Sequence, residues 1–274
     1  MLRAILSLIV FGSTLADAAP VVKDPPWHLA DVWWDLGQAR EFSSLSIDFE
    51  ISDDVDPSIS LYIAPLGLGT LNKGNFYAGV QTQSSGFASL EDHTLQPIGR
   101  GAIFSRWGER SLDAVRLAPG GVCESADYEG DFVSVRNRFA WNRGKYTLRM
   151  SQVDTERNGA KVYTWVALYL TNQRARQETY VGALRFAGSP LMLQKEMASF
   201  VEIYGGPFPA EKIPKLTVTF RNLQINGIAV SPLHASVAYE EGVPDRAEAR
   251  GENGSVRIRI GTPVKRTGRR LDLF

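Results

Sequence analysis

Apolar and polar residues alternate with a period of two along much of this chain. Leu45, Ile47, Phe49 and Ile51 are separated by Ser46, Asp48 and Glu50, the spacing of a strand with one buried and one wet face. The same rhythm returns at Ile59–Ile63, at Tyr146, Leu148 and Met150, at Leu216, Val218 and Phe220, and at Val256, Ile258 and Ile260. Each predicts a half-exposed antiparallel strand. Two runs, Val162–Leu170 and Tyr180–Phe186, lack alternation but are rich in β-branched and aromatic residues. With the polar stretch Asn172–Gln177 as their turn, they predict a central hairpin.

Trp27–Trp34 suits a first strand, and clusters at Pro65–Gly69, Pro119–Gly121 and Gly205–Pro207, with Pro209, predict turns. No long amphipathic helix is predicted; Leu191–Met197 suits one or two helical turns. Short strands punctuated this way point to an all-β fold, an antiparallel two-sheet sandwich of jelly-roll, lectin- or glucanase-like type.

The ends of the chain read differently. Arg3, the apolar run Ala4–Leu15 and Ala16-Asp17-Ala18 have the order of a cleaved secretory signal over 1–18. A proline-rich lead-in over 19–29 follows, then one sandwich domain over 30–260, then a basic flexible tail over 261–274 that contains Lys265–Arg270. No later stretch offers the roughly 18 apolar residues of a transmembrane segment. The mature protein is therefore expected to be exported, to the periplasm, the cell surface or the medium.

Composition narrows the chemistry. The 274 residues hold lysine plus arginine and aspartate plus glutamate at 30 each, so no overall field recruits nucleic acid. Cys123 is the lone cysteine, which excludes an intramolecular disulfide, and Glu124 beside it opposes a reactive thiolate. His28, His93 and His234 are too scattered in sequence to argue a zinc set or a catalytic triad.

Aromatic residues, glycines and carboxylates are densest between Asn75 and Met150. Trp107, Trp141, Tyr128 and Phe76 offer flat apolar platforms for a pyranose ring, with Arg106, Gln81 and Glu129 to meet hydroxyls. The acidic loop supports two further readings. A glycosidase strand would carry Glu-x-Asp-x-Glu on one face, whereas this loop has Glu124-x-x-Asp127-x-Glu129, which turns Glu124 away unless a bulge intervenes. No cofactor is expected and the acidic residues suit a solvated turn; the alternative is a calcium ion, to which Asp127, Glu129 and Asp131 around Gly130 present hard oxygens.

Five segments in order, Asn75–Gln81, Ile103–Trp107, the loop through Glu129-Gly130, Trp141–Tyr146 and Ala198–Glu202, resemble the secreted bacterial domain family of unknown function numbered 3472. The resemblance covers roughly Trp33 to Val230 and implies an exported sandwich with no established activity. The expected function is a non-catalytic binding module for a polysaccharide or other glycan. The alternatives are a glycoside hydrolase or lyase using Glu129 with Glu202 or Asp127, and a structural envelope protein that binds another protein.

Overall fold

The computed structural model describes residues 22–128, 130–252 and 254–274; the expected signal sequence and Glu129 lie outside them. Among the described residues the chain forms strands β1 (Trp27–Asp35), β2 (Arg40–Phe42), β3 (Ser44–Ile51), β4 (Leu61–Leu71), β5 (Gly74–Phe87), β6 (Leu95–Trp107) and β7 (Val115–Leu117). There follow β8 (Val122–Ala126), β9 (Phe132–Arg138), β10 (Gly144–Asn158), β11 (Lys161–Asn172), β12 (Gln177–Ala187), β13 (Leu191–Leu193) and β14 (Glu196–Ile203). The last are β15 (Leu216–Ile225), β16 (Ile228–Ala229), β17 (His234–Ala238), β18 (Ala247–Glu252), β19 (Ser255–Ile260) and β20 (Arg270–Asp272).

These strands form two antiparallel sheets packed face to face. The front sheet runs β20-β17-β1-β14-β4-β5-β6-β9-β8, with β13 and β2 beside β4; the back sheet runs β18-β19-β15-β3-β10-β11-β12-β7, with β16 on β15. The period-two residues turn inward as expected: Leu45, Ile47, Phe49 and Ile51 are all buried, as are Leu216, Val218 and Phe220. Phe76 and Phe104 of the front sheet meet Phe186 of the back sheet at ring separations of 6.5 and 6.2 Å. Each buried phenylalanine contributes about 1.5–3 kcal/mol through the water it sheds. The expected hairpin is present as β11 and β12, paired from Tyr163↔Ala187 to Asn172↔Gln177, but it lies toward one edge of the back sheet, with only the three-residue β7 outside it.

Several local expectations need correction. Pro65–Gly69 is not a turn but an irregular part of β4, where register shifts against β5 accommodate a proline without an N–H. Leu191–Met197 is extended, because Leu191, Leu193 and Met197 are needed in the core. The lead-in ends early, since Trp27 and Leu29 are buried and already part of β1. The basic tail is held in place. Its strand β20 pairs with β17, Asp245 binds Arg266 at 2.6 Å and Arg269 at 3.2 Å, and the Arg266 guanidinium lies 3.6 Å over the Tyr239 ring. Charge pairing and the contact of Phe274 with Trp34, at 6.4 Å between rings, replace the mobility that composition suggests.

Candidate functional site

The outer face of the front sheet carries a line of rings that crosses five neighbouring strands. His28 of β1 lies 4.6 Å from Phe200 of β14, Phe200 lies 5.2 Å from Tyr62 of β4, Tyr62 lies 6.0 Å from Tyr77 of β5, and Tyr77 lies 4.7 Å from Trp107 of β6. Four strand spacings make this line roughly 19 Å long. Tyr62 and Phe200 are buried, with Ala64 and Ile103, in a small apolar cluster separate from the main core. Trp33, Tyr77 and Trp107 stand half-buried around them. Together they line a pocket of about 280 Å³, near the small end of ligand sites, with His28, Asp31, Gly67, Leu68, Ala198 and Glu202.

Local irregularities build this pocket. In β1 the register slips between His28 and Ala30, so Leu29 and Ala30 are both buried. The extra residue returns Asp31 to the same face as His28. His28 then donates from Nδ1 to Asp31 Oδ1 at 2.8 Å and sits opposite Glu202 in register. Gly67 supplies the second irregularity: a Cβ there would approach Phe200 Cδ1 to 2.3 Å, so a side chain would push the ring from the floor.

Burial pulls the His28 pKa down, but its hydrogen bond to Asp31 and the charges of Asp31, Glu202 and Glu240 outweigh it, and the pKa is raised to about 9. At neutral pH the pocket thus holds one imidazolium among carboxylates. Among the described residues that line it there is no lysine or arginine.

The residues expected from sequence divide between this face and the interior. Trp107 and Glu202 line the pocket, and Gln81 lies on the same face, in register with Tyr62. Phe76 and Trp141 are core residues, each 1% exposed; Trp141 donates its ring N–H to the Gln81 carbonyl at 3.0 Å and is overlain by Arg100. Arg106 also points inward, where its guanidinium lies 5.0 Å over Phe186, and burial lowers its pKa. Period two accounts for Phe76 and Arg106, whereas Trp141 lies between β9 and β10. Phe76 and Gln81 are an odd number of residues apart, and Arg106 adjoins Trp107, so neither pair can share a face.

The acidic loop lies at the far edge. Tyr128 is 66% exposed, rests edge-on against Phe132 at 5.2 Å, and donates to Glu124 at 3.1 Å. Arg110 binds Asp127 at 2.9 Å and Asp131 at 3.5 Å, so the two carboxylates share one guanidinium. Glu124 is committed to Arg136. Both expected hydrolase pairs, Glu129 with Glu202 and Glu129 with Asp127, include Glu129, which lies outside the described residues; Asp127 follows β8, and β4, β5, β6 and β9 lie between that strand and the β14 of Glu202. The in-sheet separation of those two strands is on the order of 20 Å, far beyond the ~5–9.5 Å of paired glycosidase carboxylates.

His28, Asp31, Trp33, Tyr62 and Tyr77 are the members that the sequence reading missed. One signal was available. The Leu29-Ala30 doublet interrupts the alternation in Trp27–Trp34, which is how a bulge would bring His28 and Asp31 to one face. Comparison with protein-family models and with curated protein sequences finds no match to the chain.

Proposed function

We propose that this protein is an exported, non-catalytic carbohydrate-binding module that binds glycan along the ring-lined outer face of its front sheet. The carrying observation is the pocket itself, where Trp33, Tyr77 and Trp107 form apolar walls and His28, Asp31 and Glu202 supply the polar contacts. Aromatic walls with a few placed polar groups suit the C–H faces and hydroxyls of a sugar. The resemblance to the secreted domain family numbered 3472 belongs to the same proposal and supports export, not a ligand.

A glycan array with the purified chain, run with calcium and with chelator, tests this reading. Trp107→Ala is expected to weaken any hit by about tenfold or more, or about 1.4 kcal/mol, and to leave the fold intact. A hit that survives this change unaltered would remove the pocket from the reading. Silence across all polysaccharides would shift weight to a protein partner at the envelope.

A second reading is favoured by one observation, the position of Glu202 beside His28 in the pocket. A carboxylate and a charged imidazole in a cleft are candidate acid–base groups for a hydrolase or lyase. New reducing ends or unsaturated products formed by the native chain and lost in Glu202→Gln would establish it.

A further inference from the structure

We infer that one end of the sandwich carries a further site, which binds an oxyanion: the carboxylate or sulfate of an acidic sugar, or a free anion of the same chemistry. The inference goes beyond the carbohydrate reading and does not depend on it. Its basis is a guanidinium buried without a carboxylate. Among the described residues Arg106 and Arg136 are both buried, at 7% and 8% exposed. Arg136 binds Glu124, whereas Arg106 has no ion pair: its Nη1 donates to the Arg185 carbonyl, its guanidinium lies over the Phe186 ring, and its Nε–H has no partner. Buried charges are ordinarily paired, because one carbonyl and one ring face return only part of the hydration that a cation gives up.

Arg106 lines a pocket of about 450 Å³, within the range of ligand sites, that draws its walls from both sheets. The β4–β5 turn brings Lys73, the end of β6 brings Arg106 and Trp107, and the segment leaving β12 brings Gly188. Asn72 ties the turn to the far wall by donating to the Ala187 carbonyl at 2.9 Å, so the pocket is held in shape before any ligand arrives. Lys73 and Arg106 are its charged lining residues, and no carboxylate lines it among the described residues. Lys73 is exposed and makes no ion pair there. Trp107 borders this pocket as well as the ring-lined one, so a ligand here shares a wall with the proposed glycan groove.

The charges just outside the lining do not cancel this excess. Glu109 and Arg185 are the ionised groups whose fields reach Arg106. The Glu109 Oε1 accepts the backbone N–H groups of Arg110 and Ser111 at 3.0 and 2.9 Å, and Arg185 is matched by Glu156 at 2.9 Å. Lys73, Arg106 and Arg185 thus face only Glu109 and Glu156, and the imbalance is positive. A guanidinium is a planar fork of donors that matches the oxygens of a carboxylate or sulfate, and an ammonium beside it adds a second point of charge.

Calorimetry at neutral pH and low ionic strength, with the purified chain, compares glucuronate, glucose and inorganic sulfate. Glucuronate or sulfate is expected to bind at least tenfold tighter than glucose and to raise the melting temperature. Tighter binding of glucuronate than of sulfate identifies the anion as a sugar substituent; the reverse identifies a free anion. Lys73→Glu, at an exposed position, should weaken the tighter probe at least tenfold. Arg106→Met should abolish the anion-dependent rise in melting temperature, a readout that the loss of a purely structural arginine would leave in place; if this variant does not fold, Lys73→Glu decides. Glucose bound as tightly as both anions, no binding of either anion, or unaltered affinity in either folded variant would overturn the inference. Sulfate binding beside a silent glycan array would sustain it after the glycan reading had failed.

Discussion

Both outer faces of the sandwich carry aromatic residues, but the back sheet sets them under arginines and the front sheet sets them ring against ring. On the back sheet Arg116 lies 3.9 Å over Trp165, Arg149 lies 4.4 Å over Tyr169 and Arg185 lies 4.5 Å over Tyr163. Carboxylates hold these arginines in place, with Asp154 at 2.9 Å from Arg116, Glu178 at 2.9 Å from Arg149 and Glu156 at 2.9 Å from Arg185. Glu156 also accepts the Trp165 ring N–H at 2.8 Å. On the front sheet the rings contact one another and His28. A ring roofed by a fixed cation is part of the scaffold, whereas Trp33, Tyr77 and Trp107 line the pocket to which a ligand is proposed to bind.

The largest test of this contrast is Trp165→Ala. Removing a tryptophan that is 3% exposed should cost about 3–5 kcal/mol and leave glycan binding by the folded fraction unchanged. Trp107→Ala should cost no more than about 1 kcal/mol in the same denaturation experiment, because that ring is half-buried. If the two variants lose stability equally, both faces are structural and the contrast fails.

Gly67→Ala should have the next largest effect. Its new methyl group displaces Phe200, and the overpacking should cost about 1–3 kcal/mol. Since Phe200 supports both His28 and Tyr62, binding should fall with it. Native affinity in Gly67→Ala would mean that the ring line is not the site.

A pH series sharpens the electrostatic half of the comparison. The His28 pKa rises from 6.5 to about 9 on folding, so its favourable contribution is complete below about pH 6.5 and disappears as pH rises through 9. Melting temperature should therefore decline over that interval, and His28→Gln should flatten that part of the curve. The smallest effect belongs to Glu178→Gln. It breaks one half-exposed ion pair of the back sheet, and a change of about 0–1 kcal/mol with unaltered binding is expected.

Much of the fold was legible because burial and alternation report the same thing. Leu45–Ile51 and Val256–Ile260 could be assigned to strands, and to a buried face, from spacing alone. The site was legible only in part. Trp107, Gln81 and Glu202 were identified by residue type, but Phe76, Arg106 and Trp141 were grouped with them although their side chains lie on the core side. Composition marks a segment as aromatic and charged; it does not say which side of the pleat each residue takes. Whether a tryptophan is roofed by an arginine depends on contacts between distant segments, as with Arg116 and Trp165, and no local pattern reveals it.

The position of β1 has a consequence for when the molecule becomes competent. This first strand, which provides His28, Asp31 and Trp33, is flanked by β14 and β17, both drawn from beyond the midpoint of the chain. Pairings so distant in sequence form slowly, whereas the β10–β11–β12 meander joins neighbours and can assemble early. A chain interrupted before Glu196 could still form that meander but would have no β14 to hold Phe200 and Glu202 against β1. Assembly of the proposed site is thereby deferred until β14, and beside it β17, have been made, well into the second half of the polypeptide.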